Sequence, residues 1–143
     1  MYRSLERAEN TARLIETGQR IALTRLELGD DEWRSVLQTA GSLEQFEASR
    51  AILIKDAAID WLLRDRANPS SVLSSIERAR QNARLVRTAL THEVWESTNA
   101  AYMSACSLLS RKVGERDLPG VLGVLSQRSA VVRGMTHGTM LRN

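Results

Sequence analysis

A chain of 143 residues, 43% apolar and 26% charged, is long enough and apolar enough to bury a core of its own, which excludes a disordered polymer. No apolar run approaches the roughly 20 residues needed to span a bilayer, because even residues 51–54 run straight into Lys55 and Asp56. The net charge of +3 arises from 18 Arg and 2 Lys set against 17 acids spread along the whole chain, an interspersed pattern that argues against electrostatic binding of nucleic acid.

The single Cys106 cannot form an intramolecular disulfide, and Met1-Tyr2-Arg3-Ser4-Leu5-Glu6 lacks the apolar run of a secretory leader, so a cytoplasmic location is expected. The preference for Arg over Lys suits partly buried, bidentate pairing with carboxylate or phosphate. A GC-rich genome would give the same bias.

Leu5, Ala8, Ala12, Ile15, Ala22 and Leu26 recur at helical spacing and predict a first helix over residues 4–28, with Gly29 closing it and Asp30-Asp31 opening the next. Trp33, Val36, Leu37 and Ala40 share one side of a short helix over 31–40 that stops at Gly41-Ser42, and Leu43 and Phe46 begin another short turn. Residues 55–64 gather Ala58, Ile59, Trp61, Leu62 and Leu63, then stop at Arg66-Ala67-Asn68-Pro69. Pro69 predicts the start of a long helix in which Val72, Ile76, Ala79, Ala83, Val86 and Leu90 form a lengthwise seam. Thr91 ends that helix or caps the next. Over 92–113, Trp95, Tyr102, Cys106, Leu109 and Val113 share a face, and Gly114 and Pro119 bracket a break. The last helix spans 118–141 and contains Gly120, Gly123, Gly134 and Gly138. Each costs up to ~1 kcal/mol relative to Ala, so close backbone packing must compensate or the helix end frays. No β-alternation of any length occurs. The predicted class is all-α, an antiparallel helical bundle of about five to seven helices in a single domain over 1–143.

Glu6-Arg7-Ala8-Glu9-Asn10-Thr11-Ala12-Arg13 and Glu77-Arg78-Ala79-Arg80-Gln81-Asn82-Ala83-Arg84 share the pattern E-R-A-x-x-x-A-R in the same register against both apolar seams. They predict two related helices packed antiparallel at the centre, Ala8 and Ala12 against Ala79 and Ala83. Glu6, Glu9, Arg13, Glu16 and Arg20 lie about 100° around from the first seam. Glu77, Arg80, Arg84 and Arg87 form the matching stripe, with Arg80 at the position of Glu9. Two readings stand. One is a structural or solvated salt-bridge network. The other is a site for an anionic group or partner built from Glu6, Glu9, Arg13, Arg80 and Arg84, in which the glutamates orient the arginines or move a proton. Glutamates beside several arginines stay ionised, which favours binding over acid chemistry.

Other motifs carry less. His92 and Glu96 stand one helical turn apart as metal ligands can, but the second His of a zincin helix is missing, and no metal is expected. Asn68-Pro69-Ser70-Ser71 is explained by helix capping with Pro at the first helical position, and no base for a serine nucleophile is evident nearby. Cys106 lies on an apolar face and reads as core. No glycine-rich phosphate loop follows a strand, so no cofactor is implied and the chain is not expected to bind ATP by itself.

The blocks Leu5-Glu6-Arg7-Ala8-Glu9-Asn10-Thr11-Ala12-Arg13-Leu14, Glu32-Trp33-Arg34-Ser35, Asn68-Pro69-Ser70-Ser71 and Thr136-His137-Gly138-Thr139-Met140-Leu141-Arg142-Asn143 together resemble bacterial alpha-E domain proteins. The resemblance implies a helical protein whose relatives are longer, with a second half that returns to a similar E-R-A helix. This chain would then correspond to the N-terminal half only, and would begin slightly inside the usual first helix. It carries the family's acidic and arginine positions to Glu6, Arg7, Glu9 and Arg13, and leaves a composite site incomplete in one chain. It also implies company with ATP-grasp ligases and transglutaminase-like peptidases. The function implied is an accessory helical module of a peptide-ligation or peptide-modification system. The alternatives are an enzyme with a Glu/Arg site at the helix pairing, or a purely structural dimerising helical protein.

An absent second half predicts an uncovered apolar face. Leu118, Leu122, Leu125 and Val132, with Trp33 or Trp61 as anchors, are the expected surface of a two-fold homodimer. A self-sufficient monomer is the alternative.

Overall fold

The structure is a computed structural model that describes residues 2–24, 30–49 and 53–142, with side chains over 2–21, 32–49 and 53–135. The helices are α1 (Tyr2–Thr24), α2 (Asp30–Thr39), α3 (Leu43–Ala48), α4 (Lys55–Arg64), α5 (Val72–Leu85), α6 (His92–Leu108) and α7 (Leu118–Arg142), with a 3-10 turn at Arg87–Ala89. No strand occurs among the described residues. The all-α class and the antiparallel bundle expected from the periodicity are what the chain forms.

Local signals explain the boundaries. Gly41 adopts φ 73°, and the bonds from Gly41 N to Gln38 O and from Ser42 N to Leu37 O close α2 with a left-handed cap that only glycine takes without strain. Ser71 and Thr91 are the N-caps of α5 and α6, their hydroxyls accepting from the backbone N–H of Ser74 and Val94. Pro69 therefore precedes α5 instead of opening it. Asn68 folds a turn ahead of the helix, its Oδ1 accepting from Ser70 N at 3.0 Å and its Nδ2 donating to Trp61 O at 3.1 Å. Ala22, Leu26, the cap at 29–31 and the segment 136–143 fall outside the described side chains.

Four helices make the bundle, each antiparallel to its two neighbours. Thr11 meets Ser70 while Leu5 meets Ala79, so α1 and α5 run in opposite directions. Gln19 meets Glu115 and Glu9 meets Arg133, which fixes α7 antiparallel to α1. Arg80 reaches Asn99 and Arg87 reaches Trp95, which sets α6 beside α5, and α6 and α7 close the ring. Helices α2 to α4 fill the long connection from α1 to α5. There Trp33, Phe46 and Trp61 are buried in one apolar cluster with Ile15, Leu62, Val72 and Leu122. Phe46 meets Trp61 edge to face, ring centroids 5.8 Å apart.

The structure differs from the periodicity in four respects. Ala8 and Ala12 join the main core, whereas Ala79 packs in a second cluster with Leu5, Ala101 and Val132. Period identifies a face but not the sliding register along the axis. The seam of α5 ends at Ala83, because the chain tightens into the 3-10 turn and rotates Val86, 47% exposed, off the core line. On α6 the core face is Val94, Thr98, Ala101 and Ala105, so Trp95, Tyr102 and Cys106 stand on the flank nearer α5. The small Ala101 and Ala105 admit the neighbouring helices and leave the aromatics at the rim. Finally, Leu118, Leu122, Leu125, Val132, Trp33 and Trp61, the expected dimer surface, are all buried within the chain itself. A Cβ added at Gly120, Gly123 or Gly134 would meet open space, so no close packing occurs there.

Among the described residues, no helix is long and apolar enough to cross a membrane.

Candidate functional site

Within the charged stripe of α1, Glu9 faces α7, not α5. A row set 100° from the apolar seam can look to either neighbour, and the handedness of the bundle puts α7 on that side. Glu9 is buried on this flank, its carboxylate accepting from Arg133 Nε at 2.6 Å and Nη2 at 3.4 Å. The hydrogen bond with Glu9, and after it one with Tyr2, raises the Arg133 pKa above its ordinary value. Glu16 and Arg20 pair with each other at 2.9 Å in solvent. Glu6 and Arg13 are exposed and make no ion pair among the described residues.

The stripe of α5 likewise turns to its other neighbour, α6. Arg80 Nε donates to Asn99 Oδ1 at 3.0 Å, and the guanidinium carbon lies 4.6 Å from the Tyr102 ring centroid and 6.0 Å from that of Trp95. Arg87 stands over the Trp95 ring at 5.0 Å. Arg84 is exposed between them. None of these three arginines pairs with a carboxylate among the described residues. The Tyr102 pKa is raised above its ordinary value of 10.0, first by its hydrogen bond with the Cys106 side chain, then by that group's charge, by burial and by nearby Glu77, with Arg80 opposing.

The five residues read as one site are therefore divided. Glu9 is held against α7, Arg80 is stacked on the aromatics of α6, and Glu6, Arg13 and Arg84 are solvent-facing. The echo survives in another form. Glu9 and Arg80, equivalent in E-R-A-x-x-x-A-R, each provide a polar link from the helix that carries the motif to its other neighbour in the ring. Trp95, Tyr102 and Asn99, the partners of Arg80 on α6, are not singled out by the sequence as partners of the arginine stripe. The signal that could have found them is Arg80 on α5 and Arg87 at the start of the 3-10 turn after it, whose spacing suits aromatic partners on an antiparallel neighbour.

The chain contains three Glu-Arg dipeptides, and they differ in environment. Glu77 pairs with Arg66 at 3.5 Å, and Arg78 Nη2 donates to Pro69 O at 3.0 Å, so this pair clamps the turn before α5. Glu115, ahead of Arg116, is bonded by Lys55 and by Gln19. Glu6 and Arg7 instead line an open groove of about 490 Å3 with Arg3, Asn10, Thr11, Leu14, Thr39, Ala40 and Ser70.

His92 Nε2 and Glu96 Oε1 form an exposed contact at 3.0 Å, and no group of three or more metal-ligating side chains gathers among the described residues. Comparison with curated proteins finds no match, and comparison with solved structures finds none. A family profile described as a predicted alpha-helical domain with a conserved ER motif matches residues 1–143, the span that holds all three Glu-Arg pairs. The chain belongs to the Alpha-E family.

Proposed function

We propose that this Alpha-E chain is an accessory binding module of a peptide-ligating or peptide-modifying system, and that it docks an acidic segment of an ATP-grasp ligase or transglutaminase-like partner on the α5–α6 flank. The observation that carries this reading is the row Arg80, Arg84 and Arg87, free of carboxylate partners among the described residues and set against Trp95 and Tyr102. Arginine beside half-buried aromatic surface is the composition of an interface anchor. Cations left unpaired can accept carboxylates from a second protein without first breaking an internal bridge.

Trp33 and Trp61 are buried, so a change in tryptophan emission on binding reports Trp95. The test is titration of the whole chain with each partner protein, following that emission. Saturable binding that the double variant R84E/R87E abolishes supports the reading. Equal binding by that variant, or no binding of either partner, removes it. Tighter binding of a single-stranded oligonucleotide would replace it with a nucleic-acid role.

A homodimer is a second proposal, on a different surface from the buried one first expected. Val124 and Val131, 38% and 47% exposed, lie one heptad apart along a groove between α6 and α7. Light scattering at twice the 16.0 kDa chain mass supports it, and a folded monomer at micromolar concentration removes it.

A further inference from the structure

The groove at Glu6 and Arg7 lies on the opposite flank of α1 from Glu9, and the partner reading does not use it. Arg3 and Arg7 are one helical turn apart and exposed, and neither forms an ion pair among the described residues. Glu6 stands beside them on the same face, also without an ion pair among the described residues. Asn10 adds an amide one turn further on. Thr11 and Ser70 form the wall, where the Thr11 hydroxyl donates to Ser70 O at 3.3 Å and ties α1 to the turn before α5. Leu14 and Ala40 supply the apolar part. The second Glu-Arg pair shows what a purely architectural role looks like, since both its side chains are consumed by the turn at 66–69. The first pair has no such employment among the described residues.

The charge pattern selects the ligand. Two guanidiniums with one carboxylate beside them complement a group carrying both signs. A phosphate would bring its two negative charges next to Glu6, whereas a single carboxylate with a nearby ammonium satisfies every member of the set. We infer that the Arg3–Glu6–Arg7–Asn10 groove binds the terminal carboxylate of an amino acid or short peptide, with Arg3 and Arg7 on the carboxylate and Glu6 on the ammonium. The groove volume suits one to a few residues.

The experiment is calorimetric titration of the whole chain with trialanine, its C-terminal amide, its N-acetyl form and inorganic phosphate, with NMR shifts of the backbone amides over 3–14 to locate the site. Trialanine should bind at least about tenfold more tightly than its amide, and R7A should weaken it by a similar factor. E6Q should weaken trialanine but leave N-acetyl-trialanine unchanged, a result that global damage would not give. All three residues are exposed, so the variants should keep the helical circular dichroism of the parent. Equal binding of the amide, tighter binding of phosphate than of trialanine, or no saturation by about 10 mM would overturn the inference. The readout uses residues remote from Trp95, so its failure and that of the partner reading are separate results.

Discussion

Glu9 on α1 and Arg133 on α7 are 124 residues apart in sequence and joined by two hydrogen bonds on a flank where the carboxylate is only 10% exposed. That pair pins the last helix to the first, and its partners come from elements no local pattern connects. Arg133→Met should lower the urea midpoint, because it leaves a largely buried carboxylate without its cation. Replacing both, as Glu9→Leu with Arg133→Met, should recover much of that loss. A double variant no more stable than the single one would mean that Glu9 is satisfied by other groups.

Close packing at the α1–α2 contact gives a second prediction. A Cβ on Gly18 would lie 3.0 Å from Trp33 Cη2 and 3.1 Å from Val36 Cγ2, and Trp33 is fully enclosed by the core. Gly18→Ala gains about 1 kcal/mol of helix propensity but must displace an indole with nowhere to go. The displacement should win, with a net loss of roughly 1 kcal/mol by chemical denaturation. Ala12→Leu, at a position with no exposure, should cost about 1 to 3 kcal/mol for the same reason.

The contact between Lys55 and Glu115 makes a pH-dependent prediction. The hydrogen bond from Lys55, then its charge, and then the bond from Gln19 hold the Glu115 carboxyl below its ordinary value of 4.5. A carboxyl depressed in the folded chain adds stability that is complete above its unfolded value and is lost as pH falls through the lower folded value. Lys55→Met should therefore lower stability slightly near neutral pH, and the difference from the parent should begin to shrink as pH falls past 4.5 and vanish once it is below the lower folded value. Urea midpoints near neutral pH and well below 4.5 check it. A gap that stays constant with pH would assign the effect to packing of the lysine stem.

The faces of α1 and α5 were legible because Leu5, Ala8, Ala12 and Ile15, and Val72, Ile76, Ala79 and Ala83, repeat at helical spacing and are all buried. What the repeat does not encode is which neighbour stands on which side. Glu9 and Arg80 were correctly placed beside the seam, yet they look away from one another, toward α7 and α6. The apolar character of Leu118, Leu122, Leu125 and Val132 was equally plain, but apolar residues alone do not distinguish a core within the chain from a surface between chains. Trp95 and Tyr102 fall on one face with Leu109 in the sequence because an aromatic carries the same apolar signal whether enclosed or capped by a guanidinium.

The turn before α5 carries the final prediction. Asn68 is completely enclosed, and both ends of its amide are used: Nδ2 donates to Trp61 O at the end of α4, and Oδ1 accepts from Ser70 N. Around it the carbonyls of Pro69 and Ser70 are taken by Arg78 and Thr11, so one buried side chain organises the junction of α4, α5 and α1. Asn68→Ala strands a buried carbonyl and a turn N–H and should cost about 2 to 3 kcal/mol. Asn68→Asp keeps the acceptor for Ser70 N but loses the donor to Trp61 O and places a charge where water does not reach, so near neutral pH it should be at least as costly, and acidification should ease it by protonating the buried carboxyl. Because Ser70 forms one wall of the Arg3–Arg7 groove, the alanine variant should also weaken trialanine binding without touching any charged group. Denaturation of both variants at two pH values separates the roles of the amide. If Asn68→Asp matches the parent near neutral pH, the bond to Trp61 O is not what holds the turn in place.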